Sequence, residues 1–109
     1  MTHEEAVALM AAIEEATGAP YAYDHFAEGE SPDPPFFLFL FPESRNFLAD
    51  DSVYFAMKEL DIELYTDVKD PSLEESLEGI LEANELVWEK TEAWIESERL
   101  YEVLYEMTV

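Results

Sequence analysis

The apolar run from Phe36 to Phe41 is the feature that most constrains the fold of this chain. The run is far shorter than the roughly 18 residues that a membrane-spanning helix needs. Its length and aromatic content are typical of a β-strand covered on both faces, and therefore of a central strand. Prolines and acidic residues flank the run, and such residues limit the aggregation of an apolar strand.

The net charge excludes several classes of partner. The 109 residues carry a net charge of −22, although 49% of them are apolar. This apolar fraction supports a folded core, and the length fits a single domain over 1–109. Because nucleic acids and anionic membranes are bound through Lys and Arg, we expect no specific binding to either. The first residues lack the basic start and apolar stretch of a signal peptide, so we expect synthesis in the cytoplasm.

Two segments have the periodicity of a helix. Thr2 and Glu5 have the spacing of a capping box, and Gly18 supplies a left-handed cap, so a helix is predicted over 3–17. Asp70 followed by proline is a start signal for a second helix, roughly over 71–84.

The remaining segments are predicted to be strands and loops. Loops are expected at 28–35, where three prolines occur, and at 43–52, and a turn is expected near Ser97. The predicted strands are 21–26, 36–41, 53–66, 87–95 and 100–109. The order α-β-β-β-α-β-β predicts an α+β fold with two helices packed on one face of a mainly antiparallel sheet.

The pattern of apolar and acidic residues changes along the long predicted strand over 53–66. In its second half, aliphatic residues alternate with Glu59, Asp61 and Glu63, which predicts one buried and one acidic face. Its first half is apolar on both sides, so we expect it to leave the core as an extended ribbon or a subunit contact. The acidic face is interpreted either as a solvated face or as the wall of an acidic channel.

The titratable residues do not indicate an enzyme. His3 and His25, the only histidines, are too isolated to suggest a triad or a ligand pair, and there is no cysteine. Asp61, Asp67 and Asp70 do not have the spacing of a calcium-binding loop, which leaves only weak, nonspecific divalent binding open. We therefore expect no catalytic residues, no cofactor and no dedicated metal site.

The aromatic residues form 14% of the chain and suit either a core or a subunit interface. Trp88 and Trp94 share a half-polar side of their predicted strand, and both interpretations stay open for them. The candidate subunit or partner interface comprises Phe47, Leu48, Asp50, Val53, Phe55, Met57, Trp88 and Trp94.

From Tyr21 onward, the chain resembles small structural proteins in the head–tail module of long-tailed bacteriophages and prophages of Gram-positive hosts. Within that module it is most similar to tail-terminator or tail-completion (head-to-tail joining) proteins. The segments that carry the resemblance are 35–44 with Asn46-Phe47 and Ala49-Asp50, 60–67 with Lys69-Asp70, 88–92, and 95–98 with 100–106.

The resemblance implies a homo-hexameric ring at the head-proximal end of the tail tube, through which the genome passes. The implied partners are copies of the chain, the tail tube protein and the head-side connector or stopper protein. The implied location is the head–tail junction of the virion, after assembly in the bacterial cytoplasm. Glu59, Asp61 and Glu63 are the candidate conduit face, and the loops at 28–35 and 43–52 are expected contacts.

Three alternatives stay open. The first is another neck or head-closure protein of the same module, and the second is an acidic inhibitor that mimics DNA. A mimic needs rows of carboxylates along one elongated surface, whereas the acids here are scattered over every segment. The third is a small enzyme or ligand-binding domain, which a fold alone does not exclude.

Overall fold

The computed structural model describes residues 1–49 and 52–109, with the backbone alone for 47–49 and 52–55. The described chain has two helices, a five-stranded sheet and a separate two-stranded hairpin. The elements are α1 (His3–Thr17), β1 (Tyr21–Tyr23), β2 (Phe36–Leu40), β3 (Phe47–Ala49), β4 (Ser52–Phe55), β5 (Glu59–Thr66), α2 (Pro71–Ala83), β6 (Trp88–Ile95) and β7 (Leu100–Thr108). The predicted α+β class is confirmed, and so is the order α-β-β-β-α-β-β for the helices and the main sheet.

The main sheet has the strand order β1-β2-β5-β7-β6. The pair β1–β2 is parallel, and the other three pairs are antiparallel. β2 contains the apolar run and is hydrogen-bonded on both sides. Its Phe37 and Phe39 are fully buried, whereas Leu38 and Leu40 on the opposite face are half-buried. The run is therefore an interior strand, as predicted, but it is fully covered on one face only, whereas the sequence predicts cover on both faces.

The core lies between one face of this sheet and both helices. The aliphatic residues of β5 are buried there, as their alternation predicts. Because both helices pack on this face, no helix of the described chain covers the opposite face. The main core residues are Leu9, Met10 and Ile13 of α1, Leu77 and Leu81 of α2, Phe37 and Phe39 of β2, Leu60, Ile62 and Leu64 of β5, and Val103, Tyr105 and Met107 of β7.

Side-chain caps fix the starts of both helices. The capping box is present, since the Glu5 amide donates to Thr2 Oγ1 at 3.1 Å and the Thr2 amide donates to Glu5 Oε1 at 2.9 Å. At the other end of α1, Gly18 has φ of 76°, and its amide donates to the Glu14 carbonyl. The start of α2 is capped by Asp70, which accepts a hydrogen bond from the Leu73 amide at 3.1 Å.

A buried carboxylate ties α2 to β6. Glu74 is 3% exposed and forms ion pairs with Lys69 at 2.5 Å and Lys90 at 2.8 Å. Burial by itself raises the pKa of Glu74, but the hydrogen bonds from the two lysines hold it below its ordinary value. Lys90 also contacts Glu78, which accepts a hydrogen bond from the Tyr105 hydroxyl. The edge strand is thereby held against the helix by charge as well as by packing.

The hairpin corrects two predictions. The segment 43–52 is not a loop throughout, because β3 lies within it and pairs antiparallel with β4. The segment 53–66 is not one strand, because β4 belongs to the hairpin and β5 to the main sheet. The expected change into an extended ribbon agrees with this division. An isolated bridge between Ser44 and Lys58 connects the hairpin to the body.

Candidate functional site: the open face of the sheet

The open face is the side of the main sheet opposite the helices, and its centre is acidic. The strand register places Asp61 of β5 directly beside Glu106 of β7, and Tyr65 beside Glu102. Like charges directly opposite each other on neighbouring strands are destabilising, so this arrangement has an electrostatic cost. The carboxylates of the open face on these two strands are Glu59, Asp61, Glu63, Glu102 and Glu106.

Asp61 is the most perturbed member of this group. Carboxylate oxygens of Glu59, Asp61 and Glu106 all lie within 4.8 Å of one another. Asp61 Oδ1 is buried without a hydrogen-bond partner among the described residues. Burial, then a hydrogen bond with Glu59 and the charges of Glu59, Glu106 and Glu63, raise the pKa of Asp61 to about 7. Asp61 therefore retains its proton to a higher pH than an ordinary aspartic acid does.

Arg45 is the cation that contacts this group within the described chain. Its guanidinium forms ion pairs with the buried Glu59 and with Glu43, the latter at 2.9 Å. The hydrogen bond with Glu59 raises the pKa of Arg45 further. The predicted acidic face thus exists, but it is not simply solvated. Glu59 is buried and ion-paired, and both Asp61 and Glu63 are half-buried.

Further along β5, Glu63 lies beside aromatic side chains. It accepts a hydrogen bond from the Tyr65 hydroxyl at 2.6 Å, and the Tyr65 ring stacks on Phe36 with centroids 5.2 Å apart. Burial, followed by the charge of Glu63, raises the pKa of Glu102 above its ordinary value. Through Tyr65, which contacts Glu63 and is paired with Glu102, these two carboxylates lie beside an apolar depression.

This depression, the apolar groove, has a volume of about 520 Å³. The Pro-rich segment at 28–35 forms one wall and the turn between β6 and β7 forms another. The Phe26 and Phe36 rings meet edge to face at 5.4 Å, which holds the Pro-rich segment against the sheet. The apolar lining is Phe26, Pro32, Pro34, Phe36, Leu38, Tyr65, Ile95 and Leu100.

The predicted interface residues lie on two separate elements. Phe47, Leu48, Val53 and Phe55 belong to the hairpin strands, and Met57 follows them; Asp50 lies outside the described residues.

The two tryptophans lie on the edge strand β6. Trp88 is half-buried against the core, with its ring 6.4 Å from that of Tyr105. Trp94 is 42% exposed, and its indole N–H donates to Glu96 at 2.6 Å. Trp88 therefore belongs partly to the core, whereas Trp94 is available to a partner.

The carboxylates that the fold brings together as possible metal ligands differ from those considered from the sequence. Asp61 is grouped with Glu59 and Glu106, and not with Asp67 or Asp70. Hard cations prefer such oxygen ligands, but an acidic group alone does not define a metal site. Glu106 and Glu102 could not be assigned to this group from the sequence, because the register between β5 and β7 is set by the fold.

No protein-family model and no curated protein matches the chain. Neither helix of the described chain has the length and apolar character needed to cross a membrane. The arguments for function therefore depend on the open face, the hairpin and the sequence resemblance.

Proposed function

We propose that the chain is a structural protein of the bacteriophage virion. It closes the head-proximal end of the tail tube as a homo-hexameric ring, joins the tube to the head-side connector, and leaves an acidic passage for the genome. The observation that carries this proposal is a sheet face without a helical layer that concentrates carboxylates at its centre. The resemblance to tail-terminator and tail-completion proteins supports the same assignment.

The charge of the open face suits a passage for DNA. Its central strands present five carboxyl groups, of which Glu59 is ion-paired with Arg45 and Asp61, with a pKa of about 7, is partly protonated near neutral pH. DNA binding requires Lys and Arg to displace the counterions of the phosphates, and this face offers the opposite charge. A ring wall built from such faces repels the duplex and so lets it slide. Glu59, Asp61 and Glu63 are the candidate wall residues.

The shape of the chain suits contacts between copies. Its radius of gyration is 14.9 Å and its extents are 49 × 28 × 23 Å. A compact chain of this length has a radius of gyration of about 13 Å. The hairpin and the edge strand β6 offer different surfaces for neighbouring copies. Contacts between different surfaces of identical chains close into rings when the rotation permits.

The DNA-mimic alternative is less well supported. A mimic needs a long row of exposed carboxylates, whereas the row on β5 has three members. The first of them, Glu59, is 7% exposed and is ion-paired with Arg45. We therefore favour the passage over the mimic.

Electron microscopy and a DNA mobility-shift assay test the proposal together. Purified protein at moderate salt is expected to form rings with an open centre. Neither these rings nor the smaller species expected at low salt should shift duplex DNA. Saturable DNA binding by the unmodified protein would exclude the repelling passage.

A pair of charge-reversal variants tests which face lines the ring. Glu63 lies on the open face, whereas Glu15 lies on the exposed side of α1. Glu63→Lys and Glu15→Lys change the net charge by the same amount. We expect DNA to be retained by Glu63→Lys rings more strongly than by Glu15→Lys rings. Equal retention would show that the open face does not line the passage.

A further inference from the structure

We propose that the apolar groove is a docking site for a basic segment of a partner protein. An apolar side chain of that segment enters the groove, and adjacent Lys or Arg side chains contact Glu63 and Glu102. A basic segment can bind the groove of a monomer or of a ring, so this proposal and the proposed function can fail separately.

The groove has the form of a binding site for a large apolar side chain. Its volume is about 520 Å³, and apolar side chains from three parts of the chain line it. Ligand pockets have volumes of about 300–1,000 Å³ and combine apolar walls with a few polar groups. Here the polar groups of the lining are Asp67, Glu98, Arg99, His25 and Ser31. Two further carboxylates beside the groove shift the balance of charge toward a basic ligand.

The charges around the groove are predominantly negative. Asp67 and Glu98 lie on its rim, and Glu63 and Glu102 lie beside it on β5 and β7. Arg99 also lines the groove, 3.9 Å from Glu96, and its side chain is 78% exposed. Among the described residues, neither Glu63 nor Glu102 forms an ion pair with a Lys or Arg. A Lys or Arg from outside the chain supplies the missing countercharge.

A second copy of this chain has few Lys and Arg side chains with which to supply that countercharge. The chain has five Lys and Arg residues in all. Arg45, Lys69 and Lys90 are engaged in ion pairs with their own chain. Lys58 donates to the Met1 carbonyl at 3.2 Å and lies over the Phe41 ring, and Arg99 lies at the groove itself. A different, basic protein therefore matches the charge of the groove better than a second copy does.

Calorimetric titration with the synthetic peptide Ac-Gly-Lys-Leu-Trp-Lys-Arg-Gly-amide tests the proposal. We expect saturable binding that weakens with added salt, and amide NMR shifts confined to the groove. Two control peptides separate the contributions: one replaces Lys and Arg by Gln, and the other replaces Leu and Trp by Ala. Both should bind more weakly than the parent. If the Ala peptide bound as tightly as the parent peptide, the binding would be explained by general attraction to an acidic surface. This result would overturn the proposal.

Three protein variants localise the binding. Glu102→Gln should weaken it by about twofold to fivefold, as expected for loss of one partly exposed ion pair. Ile95→Ser should weaken it through loss of apolar contact, and Glu15→Gln, which removes an equal charge from α1, should leave it unchanged. No saturable binding up to about 1 mM peptide, or equal weakening by Glu15→Gln and Glu102→Gln, would contradict a site at the groove.

Discussion

At the scale of single residues, the position of Asp61 in the fold opposes the negative charge of its carboxylate. Strand alternation puts it on the open face, and pairing with β7 puts the Glu106 carboxylate directly beside it. Its buried Oδ1 has no partner among the described residues. The folded state therefore favours the protonated carboxyl, which relieves both the burial and the repulsion.

This environment predicts a pH dependence of stability. The pKa of Asp61 rises from an ordinary value of 3.8 to about 7 in the folded chain. Since the folded state binds the proton more tightly, the free energy of unfolding should fall as pH rises between about 4 and about 7. Because the carboxyl is partly exposed, we expect this contribution to be about 1 kcal/mol.

Asp61→Asn removes the titrating group and tests this prediction. At about pH 8, its free energy of unfolding in urea should exceed that of the unmodified chain by about 1 kcal/mol. At about pH 4 the two should agree within about 0.5 kcal/mol. Asp67→Asn, at an exposed position just after β5, is the matched control and should show neither effect. If the free energies of unfolding of Asp61→Asn and the unmodified chain differed by the same amount at both pH values, the raised pKa of Asp61 would be contradicted.

At the scale of elements, the sequence predicts those features that depend only on residues close together along the chain. The capping box and Gly18 define α1, Asp70 with Pro71 starts α2, and alternation identifies the buried side of β5. The strand order and register are not local, so the pairing of Asp61 with Glu106 could not be predicted. Neither could the apolar groove, because it forms where distant segments meet.

The hairpin illustrates the same limit. Residues 43–52 mix polar, charged and apolar types without a clear period, so β3 was not predicted within them. β3 becomes a strand through its pairing with β4, across the bulge between Phe47 and Leu48. An isolated two-stranded hairpin is at best marginally stable in water, so contact with a partner would stabilise it.

This argument predicts that the hairpin is required for assembly. If the chain assembles into the proposed rings, a triple variant, Phe47→Ser with Val53→Ser and Phe55→Ser, should remain monomeric under the conditions in which the unmodified chain assembles. Its thermal unfolding midpoint should fall by only a few degrees, since these residues lie outside the main sheet. The control variant replaces the exposed Val68 and Val87 by serine and should assemble normally. Normal assembly of the triple variant would show that the hairpin is not part of the subunit contact.

At the scale of the whole molecule, the charge of −22 governs association. Copies of such a chain repel one another, and the repulsion has a range of about 10 Å at 0.1 M salt. Subunit contacts must therefore overcome an electrostatic cost that salt or magnesium reduces. Any ring should form more readily at moderate than at low ionic strength.

The mass of the purified protein by light scattering, at low and at moderate salt, tests the proposed ring most directly. We predict a shift from small species toward a hexamer as salt is raised, with the same shift on addition of magnesium. A chain that stays monomeric under all these conditions, or that assembles better in dilute buffer, would contradict the ring.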